Sequence, residues 1–274
     1  GNDSAETADI INDIAKAEGY ELRIFHLPKT IDNDLLLNDH CPGYGSAARY
    51  VALCFAGNDL DNRALPGIKI DVVMGRHAGF LTAAAGLARR DENDGPHLIY
   101  FPERPVALEK MAADIKAVYK KYGRCLVAVS EGLLHEQGKL ILEERISEAD
   151  KHGNLRLSGS NDLGDYLAAF VEARLKNEFA DLRVRSDTLG YAQRCFPGVV
   201  SEVDAAEAEA AGREAVRYAR QGDIDGSVAI KRIGEGDSYQ SEFVLERLKD
   251  VGKGSRELPN EFINQEGNNI TEKF

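Results

Sequence analysis

The chain has 274 residues, 43% of them hydrophobic and 29% charged, with a formal net charge of −12 at pH 7. That is the composition of one large or two ordinary soluble domains, and so acidic a chain argues against nucleic acid as a partner, because phosphate backbones call for basic surface. No apolar run approaches a membrane span, no signal peptide is visible, and the four cysteines (Cys41, Cys54, Cys125, Cys195) form no CxxC pair, so they read as reduced thiols of a cytoplasmic protein.

Ser4 is the expected N-cap of a helix bearing Ala8, Ile10, Ile11, Ile14 and Ala15, with Gly19 as its stop. Residues 22–27 read as a buried strand that delivers Pro28-Lys29-Thr30-Ile31-Asp32-Asn33-Asp34. Two carboxylates, a lysine and a hydroxyl just past a strand end stand where open α/β sheets bind ligands. Asp32 could accept a proton from an alcohol, Lys29 could neutralise a phosphoryl oxygen, and Thr30 could orient a substrate. The same residue types also suit an ordinary surface turn.

Gly43-Tyr44-Gly45-Ser46 opens a second helix with Ala47, Ala48, Val51, Leu53 and Cys54 apolar; Ser46 either caps it or offers its start to an anion. Residues 58–67 read as a polar turn region, 68–73 as a strand ending in Met74-Gly75-Arg76, 80–89 as a helix and 97–101 as a strand. A helix over 107–122 carries Leu108, Met111, Ile115 and Val118 at helical spacing. A strand over 125–129 ends in Ser130-Glu131, residues 136–161 form a polar excursion, and a helix over 163–179 precedes a strand over 182–188. Pro197-Gly198 marks a break. Asp204 with Glu207 reads as a capping box for a helix to 220, and a strand follows over 227–232. The residues after 249 read as loop. Strands alternating with helices predict an α/β fold with parallel sheets, and the break suits two domains with the chain crossing back near Pro197.

Four stretches then carry a resemblance over nearly the whole chain: Thr30-Ile31-Asp32-Asn33-Asp34, Met74-Gly75-Arg76-His77-Ala78-Gly79, Ser130-Glu131-Gly132 and Leu189-Gly190-Tyr191-Ala192-Gln193-Arg194. In kind and order they resemble the phosphofructokinase family. Lys29 resembles the pyrophosphate-dependent branch, because ATP-dependent members carry glycine there. The resemblance implies two Rossmann-like three-layer α/β domains with parallel sheets and an active site in the cleft between them. It assigns 1–39 and 197–248 to a remnant of the first, phosphoryl-donor domain, 40–196 to the second, sugar-phosphate domain, and 249–274 to a C-terminal tail. The opening Gly1-Asn2-Asp3-Ser4 is similar to the tail of a GGDGS-like phosphate loop, so about a hundred residues are expected before it and the chain is expected to be a fragment with an incomplete first domain.

By the same resemblance the protein transfers a phosphoryl group from pyrophosphate to the 1-hydroxyl of fructose 6-phosphate in glycolysis, using Mg2+, as a cytoplasmic homo-oligomer (dimer or tetramer). Asp32 resembles the base, with Thr30, Ile31 and Asp34 positioning substrate and transition state. Met74, Gly75 and Arg76 resemble the sugar-phosphate loop, Glu131 the acceptor of sugar hydroxyls, and Tyr191 and Arg194 the 6-phosphate ligands. Arg185 resembles the arginine lent by a neighbouring subunit. Lys29 and Asp3 match the residues that favour pyrophosphate, and Asp3 is the candidate metal ligand. His77 has no metal-spaced companion and reads as structural. Asn2 departs from a magnesium-binding aspartate, and Gly67 from a second arginine that reaches a neighbour's phosphate. An ATP-dependent phosphofructokinase and a non-catalytic sugar-phosphate-binding regulatory subunit are the alternatives.

Overall fold

The computed structural model describes residues 1–142, 161–222 and 224–274, so most of the excursion expected over 136–161 lies outside the described residues. In chain order the elements are α1 (Asn2–Ala17), β1 (Phe25–His26), α2 (Tyr44–Ala64), β2 (Ile68–Val73), α3 (Phe80–Ala84), β3 (Leu98–Tyr100) and α4 (Leu108–Tyr122). Then follow β4 (Cys125–Ser130), α5 (Asp162–Leu175), β5 (Val184–Thr188), α6 (Glu202–Ala219), β6 (Gly226–Ile233), β7 (Gln240–Glu246) and α7 (Leu248–Gly252). They divide into two compact units, Gly1–Ala47 with Pro197–Arg256 and Ala48–Phe196 with Glu257–Phe274.

The second unit is built on a four-stranded, all-parallel sheet of order β3-β4-β2-β5. Every residue of β2 and β4 is buried, which is what near-continuous apolar strands covered on both faces require. Ile70, Val72, Val127 and Val129 pack with Met111 and Ile115 of α4 and with Leu167 and Val171 of α5. The polar stretch expected as a turn over 58–67 is instead helical as far as Ala64. Its polar side chains are spent on tertiary bonds rather than on a turn: Asn58 Nδ2 donates to Asp71 Oδ2 (2.7 Å), Asp59 accepts from Gly95 N (2.9 Å) and from Arg124, and Asn62 Nδ2 donates to Gly67 O (3.1 Å). The helix expected over 80–89 is α3 plus a 3-10 turn, Ala85–Ala88, in which Gly86 lies so close to Ile270 that a Cβ would stand 2.4 Å from its Cδ1. The last residues are not a free tail. Ile99 N donates to Asn268 O (2.9 Å), Leu258 N to Glu103 Oε1 (2.8 Å) and Asn268 Nδ2 to Asp114 Oδ2 (3.0 Å).

In the first unit β1 pairs parallel with β6, and β6 pairs antiparallel with β7, a strand absent from the sequence reading that makes this sheet mixed. The strand expected over 22–27 shrinks to two residues, since β1 lies at the sheet edge and, among the described residues, pairs with the start of β6 and nothing else. Helix α1 starts at Asn2, which puts Ser4 inside its first turn and not at the cap. Its isoleucines do not form its buried face: Ile10, Ile11 and Ile14 are 53%, 46% and 59% exposed, and the buried positions are Ala5, Asn12 and Ala15. The packing explains the choice of face. Helix α7 crosses so close that a Cβ on Gly252 would lie 2.8 Å from Glu6 N, so only a small-residue face fits there.

Candidate functional site

In the first unit the loop over 29–34 leaves β1 with Lys29 exposed, while Thr30, Ile31, Asn33 and Asp34 are all buried. Its backbone is held at many points, unlike a free surface turn. Thr30 forms a parallel bridge with Gly43, and Asp32 N donates to Thr30 Oγ1 (3.2 Å). Asn33 has φ 59, a left-handed conformation uncommon outside glycine, and its Oδ1 accepts from Cys41 N (3.0 Å). Asp34 Oδ2 accepts from Ser255 Oγ (3.2 Å), which itself accepts from Asn2 Nδ2 (3.0 Å), and the Gly1 amino group donates to Lys29 O (3.0 Å). The start of the chain, the loop and Ser255 thus meet in one place. The Arg256 guanidinium beside them donates to the carbonyls of Asn33, Asn38 and Asp39. Burial pushes the Cys41 thiol up to about 12 and pulls the Arg256 guanidinium below its ordinary value.

Asp3 is exposed on the first turn of α1. Among the described residues no group of three His, Cys, Asp or Glu is placed to cage a metal. A single accessible carboxylate fits magnesium nonetheless, because that ion commonly takes one or two carboxylates and completes its shell with water and phosphate oxygens.

The anion facing the start of α2 belongs to the protein itself. Asp204 Oδ2 accepts from both Ser46 N and Ser46 Oγ, each at 2.6 Å. The expected capping box over Asp204 and Glu207 is therefore not formed. Ser201 is the N-cap of α6, accepting from Asp204 N, and Glu207 accepts from His40 Nε2 (2.5 Å) and from the Tyr239 hydroxyl.

In the second unit parallel, in-register pairing does the assembling: Val73 stands opposite Ser130 and Val72 opposite Thr188, so the loops after β2, β4 and β5 emerge together. Gly75 (φ +124) donates its N–H to Glu131 Oε1 (3.4 Å), and its carbonyl accepts from Ser130 Oγ (2.7 Å). Met74 N donates to Gln193 Oε1 (3.1 Å), whose Nε2 donates to Gly190 O (2.9 Å) within the 3-10 turn Gly190–Arg194. That turn presents Tyr191 and Arg194 to solvent with the guanidinium 4.5 Å from the ring centre. Met74, Gly75, Arg76, Glu131, Tyr191 and Arg194 are accordingly brought to one sheet end.

Arg185 is not. It pairs with Lys69 near the opposite end of β2, roughly 15 Å away along the strand, where Nη1 donates to Asp61 Oδ2 (2.8 Å) and Nη2 to Leu65 O (3.0 Å). Gly67 has a local reason for lacking a side chain, since a Cβ there would stand 2.5 Å from Arg183 O. Gln193, Ser255 and Arg256 were not singled out from sequence. Gln193 sits inside a motif that was read, whereas nothing local marks the other two.

The family model for phosphofructokinase matches residues 1–219. The chain belongs to the phosphofructokinase family. It is 49% identical to the pyrophosphate–fructose 6-phosphate 1-phosphotransferase of Rhodospirillum rubrum over all of this chain and 67% of that protein. Crystal structures of pyrophosphate-dependent phosphofructokinases from Nitrosospira multiformis (TM-score 0.83, 31% identity) and Marinobacter aquaeolei (TM-score 0.81, 30% identity) are matched by 100% of this chain. Each match covers 63% of the solved chain, so this phosphofructokinase sequence spans about two thirds of the length of such relatives.

Proposed function

We propose that the protein transfers a phosphoryl group from pyrophosphate to the 1-hydroxyl of fructose 6-phosphate. The observation that carries this reading is the loop over 29–34, where an exposed lysine precedes two aspartates in a segment held by Gly43, Cys41 and Ser255. Phosphoryl transfer rests mostly on positioning and charge neutralisation, and a rigid loop of this composition supplies both. Asp32 takes the proton of the attacking hydroxyl, while Thr30, Ile31 and Asp34 hold the reacting groups in line. The Lys29 ammonium meets the transferring phosphoryl group. Glu131 accepts hydrogen bonds from the sugar hydroxyls. Met74, Gly75 and Arg76 line the sugar phosphate, and Tyr191 and Arg194 bind its 6-phosphate. Asp3 would supply one oxygen to magnesium carried by pyrophosphate, an ion that offsets phosphate charge when bound.

Arg185 stands far from the other sugar-side residues of its own chain, which supports a homo-oligomer in which it serves a neighbour. No described helix is long and apolar enough to cross a membrane, and a glycolytic role supports a cytoplasmic location. The test is donor choice in the full-length protein, with fructose 1,6-bisphosphate formation followed under pyrophosphate or ATP. Pyrophosphate should give the higher kcat/KM, and Lys29→Gly should lower kcat with it by roughly 10²–10³. Faster turnover with ATP would overturn the donor assignment, and fructose 6-phosphate binding without turnover on either donor would mark a regulatory subunit.

A further inference from the structure

Repeated hydrogen bonds onto the candidate catalytic loop come from a residue near the other end of the chain, 223 positions from Asn33. Arg256 Nε and Nη2 both donate to the Asn33 carbonyl, at 3.2 and 2.8 Å. Its Nη1 donates to the carbonyls of Asn38 and Asp39, each at 2.6 Å, and its backbone N–H donates to Asp34 O at 2.7 Å. Ser255 adds a bond to the Asp34 carboxylate and an antiparallel bridge to Leu35.

The conformation of the loop explains what these bonds are for. Asn33, between Asp32 and Asp34, sits at φ 59, and Leu37 follows at φ 63; left-handed residues with a side chain persist where surrounding contacts over-determine them. The Asn33 side chain secures one contact with Cys41 N. Its carbonyl is secured by Arg256 alone among the hydrogen bonds described for it. A planar guanidinium can bridge several carbonyls at once in a fixed fork, which a lysine ammonium on a flexible stem cannot reproduce.

We infer that Arg256, assisted by Ser255, is a positioning residue for phosphoryl transfer: it clamps the backbone between Asp32 and Asp34 and so fixes the direction of both carboxylates. The inference rests on the catalytic reading of this loop given above. In these bonds the Arg256 side chain donates to the backbone carbonyls of Asn33, Asn38 and Asp39, and it is not assigned to substrate.

The test compares Arg256→Ala, Arg256→Lys and Ser255→Ala in the full-length protein, reading kcat, KM for fructose 6-phosphate and amide hydrogen exchange. Arg256→Ala should lower kcat about 100-fold, the scale of a misplacement near 1 Å, with KM for the sugar phosphate within about threefold, as expected when transition-state geometry alone is lost. Exchange should speed up over residues 30–41, with the Ile230 and Arg232 amides that Asn38 and Asp39 hold, and not in α6. Millimolar methylguanidinium should restore part of kcat to Arg256→Ala, and Arg256→Lys should remain impaired. A folded Arg256→Ala with unchanged kcat would overturn the inference, as would faster exchange throughout the first unit, which is the mark of a merely structural arginine. If Arg256→Ala does not fold, Arg256→Lys and Ser255→Ala are held to the same loop-confined exchange. If the unmutated protein turns over neither donor, the functional reading fails separately. The clamp is then judged by exchange alone: a rise confined to 30–41 and those two amides supports it and no rise refutes it.

Discussion

Replacing Gly132 by alanine isolates the placement of Arg76. A Cβ added at Gly132 would stand 1.8 Å from the Arg76 carbonyl oxygen, 2.6 Å from its carbon and 2.9 Å from its Cα. Retreat to 3.0 Å, the near limit of real Cβ contacts, requires a main-chain movement of about 1.2 Å. Neither side can yield without loss. Gly132 N–H is tied to Ser130 Oγ (3.0 Å), and that hydroxyl donates to Gly75 O (2.7 Å), so either movement breaks the bonds joining the loops after β2 and β4. A displacement near 1 Å in a binding constellation costs about 100-fold, so Gly132→Ala should weaken fructose 6-phosphate by roughly 10- to 100-fold. The assay is KM for fructose 6-phosphate at saturating pyrophosphate, with direct calorimetric binding and a melting curve to confirm folding. Gly57→Ala, on an open helical surface with nothing within 4 Å, is the matched control and should bind normally. Unchanged sugar-phosphate affinity in Gly132→Ala, or an equal loss in Gly57→Ala, would refute the reasoning.

Asp32→Ala should cut kcat by roughly 10²–10⁴ with a smaller change in KM for the sugar, and near-normal turnover would end its assignment as the base. Asp204→Ala strips the half-buried start of α2 of the acceptor for Ser46 N and Oγ, which should destabilise the fold by about 1–2 kcal/mol in urea denaturation; an unmoved midpoint would refute that. Burial, with the Arg124 charge next, lowers His97 from 6.5 to about 4, so the unfolded chain takes up a proton there that the folded chain refuses; this contribution is whole above pH 6.5 and is lost as pH falls toward 4. Burial raises Asp71 from 3.8 to about 7, so the folded chain keeps a proton the unfolded chain has shed, and stability declines as pH rises between those values. Asp71→Asn should remove that decline and leave a steeper loss of the urea midpoint between pH 7.5 and 5 than in the unmutated protein. Parallel pH curves would show that Asp71 is not protonated in the fold.

The second unit was legible from sequence chiefly because β3 and β4 are short, mostly apolar runs buried along their whole length, as in Leu98-Ile99-Tyr100 and Leu126-Val127. Helix α4 was equally clear, with Met111 and Ile115 buried at helical spacing. The misreadings share one cause: a polar residue can serve tertiary structure as well as a turn or a cap. Asn58, Asp59 and Asn62 look like a turn and are helix positions bonded to neighbouring elements, and Asp204 looks like half of a capping box but closes the start of another helix. The face that α1 buries is set by its neighbour. Periodicity identifies an apolar face, but the close crossing of α7 selects the alanine face instead.

For the site the division runs between groups that carry distinctive side-chain chemistry and groups that hold backbone. Asp32, Arg76, Glu131 and Arg194 were named through the resemblance their motifs carry, since a single charge at a strand end is usually just solvated; a parallel sheet in register then brings the ends after β2, β4 and β5 together. The same register argues against Arg185 as a partner of those residues within one chain, since it pairs beside Lys69 and not beside Val73. Gln193, Ser255 and Arg256 act largely on N–H and C=O groups that every residue possesses, so no pattern in the sequence distinguishes the loop they hold. Only the fold shows that Arg256, following a helix-ending Gly-rich stretch, closes onto the Asn33 carbonyl. A loop whose left-handed asparagine is stabilised by so distant a residue couples the candidate catalytic carboxylates to the order of the segment after α7, so substitutions there should alter turnover without touching substrate.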